Sequence, residues 1–189
     1  VLAAFALGMV LLIRPVNGLI VFSIPFLAGN LESLKAGFKN YISKRLLLLS
    51  TLLIPVVIAS MQLMIYKVQT GQWLVYSYAE EGFNFTSPEL YNFLFSYKKG
   101  LFVYTPASFF IVLLVLLILV FAFAKKKMIT RDETRFQSLS FLGFFLLVVY
   151  VLSSWWMWFY GGSFGSRAMI EYYPFIFLAF ALSLNEQSK

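Results

Sequence analysis

Uncharged apolar runs long enough to cross a bilayer constrain this chain more than any other feature. A hydrocarbon core about 30 Å thick takes roughly 20 apolar residues as helix. Leu46–Tyr66, Gly100–Ala124 and Phe136–Tyr160 carry no charged residue. Tyr172–Leu184 is apolar but shorter. The chain is 61% hydrophobic and 12% charged, against about 25% charge in a soluble domain. That excludes a water-soluble globule, and it excludes disorder, which requires low hydrophobicity.

The first 28 residues hold two apolar stretches, Val1–Ile13 and Gly18–Ala28, interrupted by Arg14-Pro15-Val16-Asn17. Pro15 lacks a backbone donor and disfavours helical geometry at Arg14. Two short helices meeting at 14–17 are expected, rather than one kinked helix about 42 Å long. The expected architecture is all-α: a polytopic transmembrane helix bundle of about five to six membrane helices with a long outer loop. Residues 1–189 read as one membrane domain. Because the chain opens at Val1 inside an apolar stretch, it is expected to be the C-terminal part of a longer protein.

Lys and Arg set the orientation. The segment 29–45 carries Lys35, Lys39, Lys44 and Arg45, and the segment 125–135 carries Lys125, Lys126, Lys127, Arg131 and Arg135. Within 67–104, Lys67, Lys98 and Lys99 are offset by Glu80, Glu81 and Glu89. The positive-inside rule makes 29–45 and 125–135 inner loops, and 67–104 and 157–171 outer ones. The net charge of +7 is thus a property of membrane loops and not a nucleic-acid footprint. The segment 31–45 reads as an amphipathic helix along the inner surface, with Leu34, Phe38, Tyr41 and Ile42 among basic residues. Thr130-Arg131-Asp132-Glu133 fits a capping box.

The chemistry available is narrow. There is no Cys and no His, so thiolate nucleophiles, imidazole bases and His-ligated zinc are excluded. In the outer loop, Ser87-Pro88-Glu89 reads as an N-cap with Pro at the first helical position. It would open a short helix through Phe95 resting on the membrane by Leu90, Phe93 and Leu94. Glu80 and Glu81 are candidate bases, although carboxylates in a loop are usually just solvated. Asn84-Phe85-Thr86 matches a glycosylation sequon.

The sharpest local feature runs from Trp155 to Arg167. Gly161, Gly162 and Gly165 free the backbone to approach a ligand closely, ahead of a helix expected near Ala168 whose amides favour an anion. Arg167 offers a planar fork suited to phosphate. Trp158 and Tyr160 offer surfaces for a sugar or an isoprenoid chain. No Lys-Ser/Thr follows the glycines, so this is not a P-loop. The competing reading is a tight turn, an interfacial aromatic belt and an Arg167–Glu171 pair. Arg14 favours the functional reading: two arginines on the outer side, each at a helix break, exceed what topology needs.

Arg14-Pro15-Val16-Asn17, the stretch from Trp158 to Arg167 and the following Tyr173-Pro174 resemble the membrane core of GT-C class glycosyltransferases. The relatives in view are protein O-mannosyltransferases and aminoarabinose transferases. Residues 78–83, 95–102 and Thr105-Pro106 are similar to a later outer loop of bacterial members. The resemblance implies an integral protein of the bacterial inner membrane that transfers a sugar from a polyprenyl-phosphate donor to an acceptor on the outer face. It implies that Arg167 and Arg14 contact the carrier phosphate, with membrane lipids as surroundings and no nucleic acid as partner. The family's catalytic acid lies in a first outer loop with no counterpart here. A divalent cation in the full-length enzyme would take carboxylates from that missing part, and no cofactor is identifiable in these residues. Two other readings stay open: a transporter or flippase component binding an anionic lipid, and a purely structural membrane module.

Overall fold

Apolar runs become helices, and prolines and serines set most of their ends, in the computed structural model, which describes residues 1–75, 81–124 and 132–187. The chain is an all-α bundle, with no strand among the described residues. Helices α1 (Leu2–Ile13), α2 (Ile24–Ala28), α3 (Leu31–Ser43) and α4 (Arg45–Thr70) precede a gap in the described residues. Helices α5 (Leu90–Phe95), α6 (Leu101–Tyr104), α7 (Pro106–Ala124), α8 (Asp132–Ser153) and α9 (Tyr173–Gln187) follow it. Short 3₁₀ segments cover Pro15–Ser23 and Arg167–Tyr172.

Among the described residues, four stretches are long and apolar enough to cross a membrane: α4, α7, α8 and the segment Arg167–Leu184, which joins a 3₁₀ turn to α9. Two shorter apolar stretches, Leu2–Ile13 and Pro15–Ala28, accompany them. Large apolar side chains stand uncovered along the spans, with Leu46 84% and Val68 85% exposed. Soluble proteins do not leave contiguous apolar surface of this extent in water. This is a membrane protein.

The described residues form two compact units, one holding α1, α4 and most of α3, the other holding α2 and α5 to α9. In the first unit, α1 lies against α4. The contact depends on Gly8, where a Cβ would come within 2.6 Å of Ile58 Cδ1 and 3.2 Å of Pro55 Cα. Small residues at such crossings let two backbones approach. α4 is about 39 Å long at 1.5 Å per residue, which exceeds the hydrocarbon core. Pro55 lies inside it and cannot donate to the Thr51 carbonyl. The Thr51 and Ser50 hydroxyls both donate to the Leu47 carbonyl at 2.8 Å, and Tyr41 and Thr51 share a hydroxyl hydrogen bond. These bonds lie one turn before the proline and do not reach the Thr51 carbonyl that it leaves without an amide donor. The helix stops at Gly71, whose φ of 75° suits a left-handed cap.

In the second unit α8 is the centre. Phe141, Phe145, Val148 and Leu152 are buried at helical spacing, and α2, α5 and α7 pack on it. Phe26 of α2 meets Phe141 at 5.4 Å, and Phe175 of α9 meets Phe144 at 5.3 Å. Arg135 donates to the Ala122 carbonyl at 2.6 Å, which ties the start of α8 to the end of α7.

Several boundaries differ from the sequence reading, each for a local reason. The run 100–124 is not one helix, because Pro106 opens α7 and pushes Thr105 out of helical geometry, to φ −133°. The run 136–160 ends as helix at Ser153. There the Ser153 and Ser154 hydroxyls both donate back to the Tyr150 carbonyl, at 3.1 and 2.7 Å, competing with the ladder. The stretch 18–28 is largely 3₁₀, with α-helix only from Ile24. The capping box falls partly on Thr130 and Arg131, outside the described residues. The cap of α5 is Glu89 and not Ser87, and Phe93 is buried within the unit instead of resting on lipid.

Candidate functional site

The Leu152, Ser153 and Ser154 carbonyls lie where α8 can no longer offer them an amide four residues on, and residues 82–89 and Tyr160 supply donors to them. The Tyr160 hydroxyl donates to Leu152 O at 2.9 Å. The Glu89 amide donates to Ser153 O at 3.0 Å, and the Asn84 amide to Ser154 O at 2.7 Å. Trp156 returns its amide to Gly82 O at 3.0 Å, completing an antiparallel bridge between Phe83 and Trp155. Phe83 sits edge-on to Trp155 at 4.7 Å and stacks on Phe85 at 5.4 Å. Two segments far apart in sequence are thus joined into one aromatic cap over α8.

The glycine segment leaves this cap as a sequence of tight turns. Tyr160 has φ +50°, the one positive value outside glycine among the described residues, and Gly161 and Gly165 have φ +77° and +63°. Left-handed backbone at a tyrosine is costly, and the hydroxyl bond to Leu152 O holds it there. Gly165 lies against Tyr104, where a Cβ would come within 3.3 Å of the Tyr104 Cβ. Gly162 is different, since its φ is not positive and open space surrounds it. Two of the three glycines therefore shape the turn, and the third borders free volume.

Arg167 opens the 3₁₀ segment with its side chain exposed. The α-helix begins at Tyr173 and not near Ala168. This removes the expected amide cluster, because the Arg167 and Met169 amides already donate to Gly165 O and Ser166 O. What the segment presents at this point is the exposed Arg167 guanidinium. Trp158 and Tyr160 are half-buried, with Trp158 edge-on to Phe159 at 5.6 Å. Arg14 lies in the first unit at the extended break between α1 and the 3₁₀ segment, φ −150°. The second unit's site is therefore built on Arg167 alone. Glu81 is half-buried at the edge of the cap, and Glu80 lies outside the described residues. No cluster of three potential metal ligands occurs among the described residues.

One residue of this region stands out only in three dimensions. Lys99 is 8% exposed. Its ammonium donates to the Gly161 carbonyl and to Ser163 Oγ, the latter at 3.2 Å. The adjacent Lys98 lies over the Phe159 ring, 3.3 Å from its centroid. In sequence the pair reads as loop charge balanced by glutamates. The signal available was its place in the 95–102 motif. No protein-family model, curated protein or solved structure matches this chain.

Proposed function

We propose that the chain is part of a glycosyltransferase of the bacterial inner membrane that takes a sugar from a polyprenyl-phosphate donor and passes it to an acceptor on the outer face. The carrying observation is Arg167, exposed at the end of an aromatic, glycine-turned segment that the end of α8 and residues 82–89 hold in place. In the transfer, the bond from the anomeric carbon to the carrier phosphate breaks and the phosphate keeps the electron pair. The acceptor oxygen or nitrogen bonds to that carbon and gives its proton to a base. Arg167 would stabilise the negative charge gathering on the leaving phosphate, while Trp158 and Tyr160 line the path of the sugar or chain. The resemblance of residues 158–167 and 173–174 to GT-C enzymes supports the reading. A transporter fits less well, because α7 carries no charged residue and those of α4 and α8 are confined to the end turns, away from mid-span, where carriers place their sites. In membranes making the protein in its natural length, Arg167→Ala should raise the donor KM or lower transfer at least about tenfold, roughly 1.4 kcal/mol. Unchanged kinetics would remove Arg167 from the site.

A further inference from the structure

A buried ammonium is expensive unless an opposite charge compensates it. Lys99 is nine-tenths buried and its two partners, a carbonyl and a hydroxyl, are neutral. No carboxylate among the described residues pairs with it. An ammonium has three donors, so one is left after Gly161 and Ser163 are served. Ser163 accepts from Lys99, which leaves its own hydroxyl proton free to donate. The Cβ side of Gly161 and of Gly162 is open, so no neighbouring group covers the turn there. Lys98, held on Phe159, adds a second cation next in sequence.

From this the geometry points to a phosphate-binding site formed by Lys99, Ser163 and the Gly161-Gly162 turn. An ammonium with a spare donor beside a hydroxyl donor matches the charge and the several acceptor oxygens of a phosphate better than a lone carboxylate. The site stands on Lys99 and not on Arg167. It rests on the proposed function only for the source of the phosphate, a lipid-linked carrier as opposed to the free ion.

The test uses the chain in nanodiscs of zwitterionic lipid, titrated with inorganic phosphate or prepared with a polyprenyl monophosphate, with binding followed by phosphorus NMR. Lys99→Met removes the charge and keeps the stem. Ser163→Asp places a carboxylate beside the ammonium, filling the site from within while supporting the fold. Both should weaken binding roughly tenfold or more, and Ser163→Asp should do so with an unfolding temperature equal to or above that of the unaltered chain. If Lys99 merely latches the turn, Ser163→Asp gains stability and binds phosphate as before, which overturns the site. Absence of binding to both probes by the unaltered chain overturns it too. Binding of inorganic phosphate alone, lost in both variants, upholds the site and takes the lipid carrier away from the proposed function. Lipid binding lost in Arg167→Ala but kept in both Lys99 and Ser163 variants upholds the proposed function and overturns this site.

Discussion

At the scale of single residues, the glycines of the 161–165 turn separate into two kinds that sequence alone treats alike. Gly165 combines φ +63° with a close approach to Tyr104, so a methyl group there meets both backbone strain and a neighbouring side chain. Gly165→Ala should cost about 1–3 kcal/mol of stability. Gly162→Ala should change stability by less than about 0.5 kcal/mol, because its φ is not positive and nothing lies within 4 Å of the added carbon. Thermal unfolding of the two variants in the same nanodiscs checks the contrast. Equal losses would mean that open space at Gly162 is not a feature of the folded turn. Lys99 shows the limit of reading at this scale. Its burial is set by Gly161 and Ser163, 62 and 64 residues away, and no local pattern carries a contact of that separation.

At the scale of elements, hydropathy marked the spans well because lipid imposes one strong requirement on every residue of a crossing helix. It marked their ends poorly. The end of α8 is decided by Ser153 and Ser154 turning back on Tyr150 and by amides arriving from residues 84 and 89, while Trp155–Tyr160 continues the apolar run unchanged. The helix α3 is the opposite case: its pattern predicts an amphipathic helix over 31–45, and the helix runs Leu31–Ser43, ended by a break at Lys44. Apolar Leu34, Phe38, Tyr41 and Ile42 fall on one side, and Lys35 and Lys39 flank them. No residue of α3 is buried, and Phe38 is 65% exposed. A helix with an uncovered apolar stripe, leading directly into the span α4, has the pattern that suits a membrane surface. Phe38→Cys, the single thiol in the chain, carrying an environment-sensitive fluorophore should therefore emit at shorter wavelength than the same fluorophore in water and be quenched by brominated lipid. Emission typical of water with no quenching would place α3 off the bilayer.

At the scale of the whole second unit, two sets of contacts constrain which loops share a side of the membrane. Residues 82–99 bond to 152–163 through Asn84, Glu89 and Lys99, and between these two segments the chain passes through α7 and α8. An even number of crossings is what lets the two segments meet. Arg135 reaching Ala122 closes the other ends of the same two helices, next to the basic run 125–135, as the positive-inside rule requires of an inner loop. The absence of Cys makes the arrangement directly measurable, since each introduced thiol is the single one in the chain. In intact cells an impermeant maleimide should label Asn84→Cys and Phe164→Cys, both at exposed positions, and should reach Lys127→Cys only after the membrane is opened. Labelling of positions 84 and 164 from opposite sides would mean that α7 and α8 do not both cross. The cap over α8 and the Lys99 contacts could not then coexist with the membrane, and the sites argued for Arg167 and Lys99 would fall together. Labelling of both from the inside would keep the fold and reverse its orientation. That would leave phosphate recognition possible but move any sugar transfer to the cytoplasmic face.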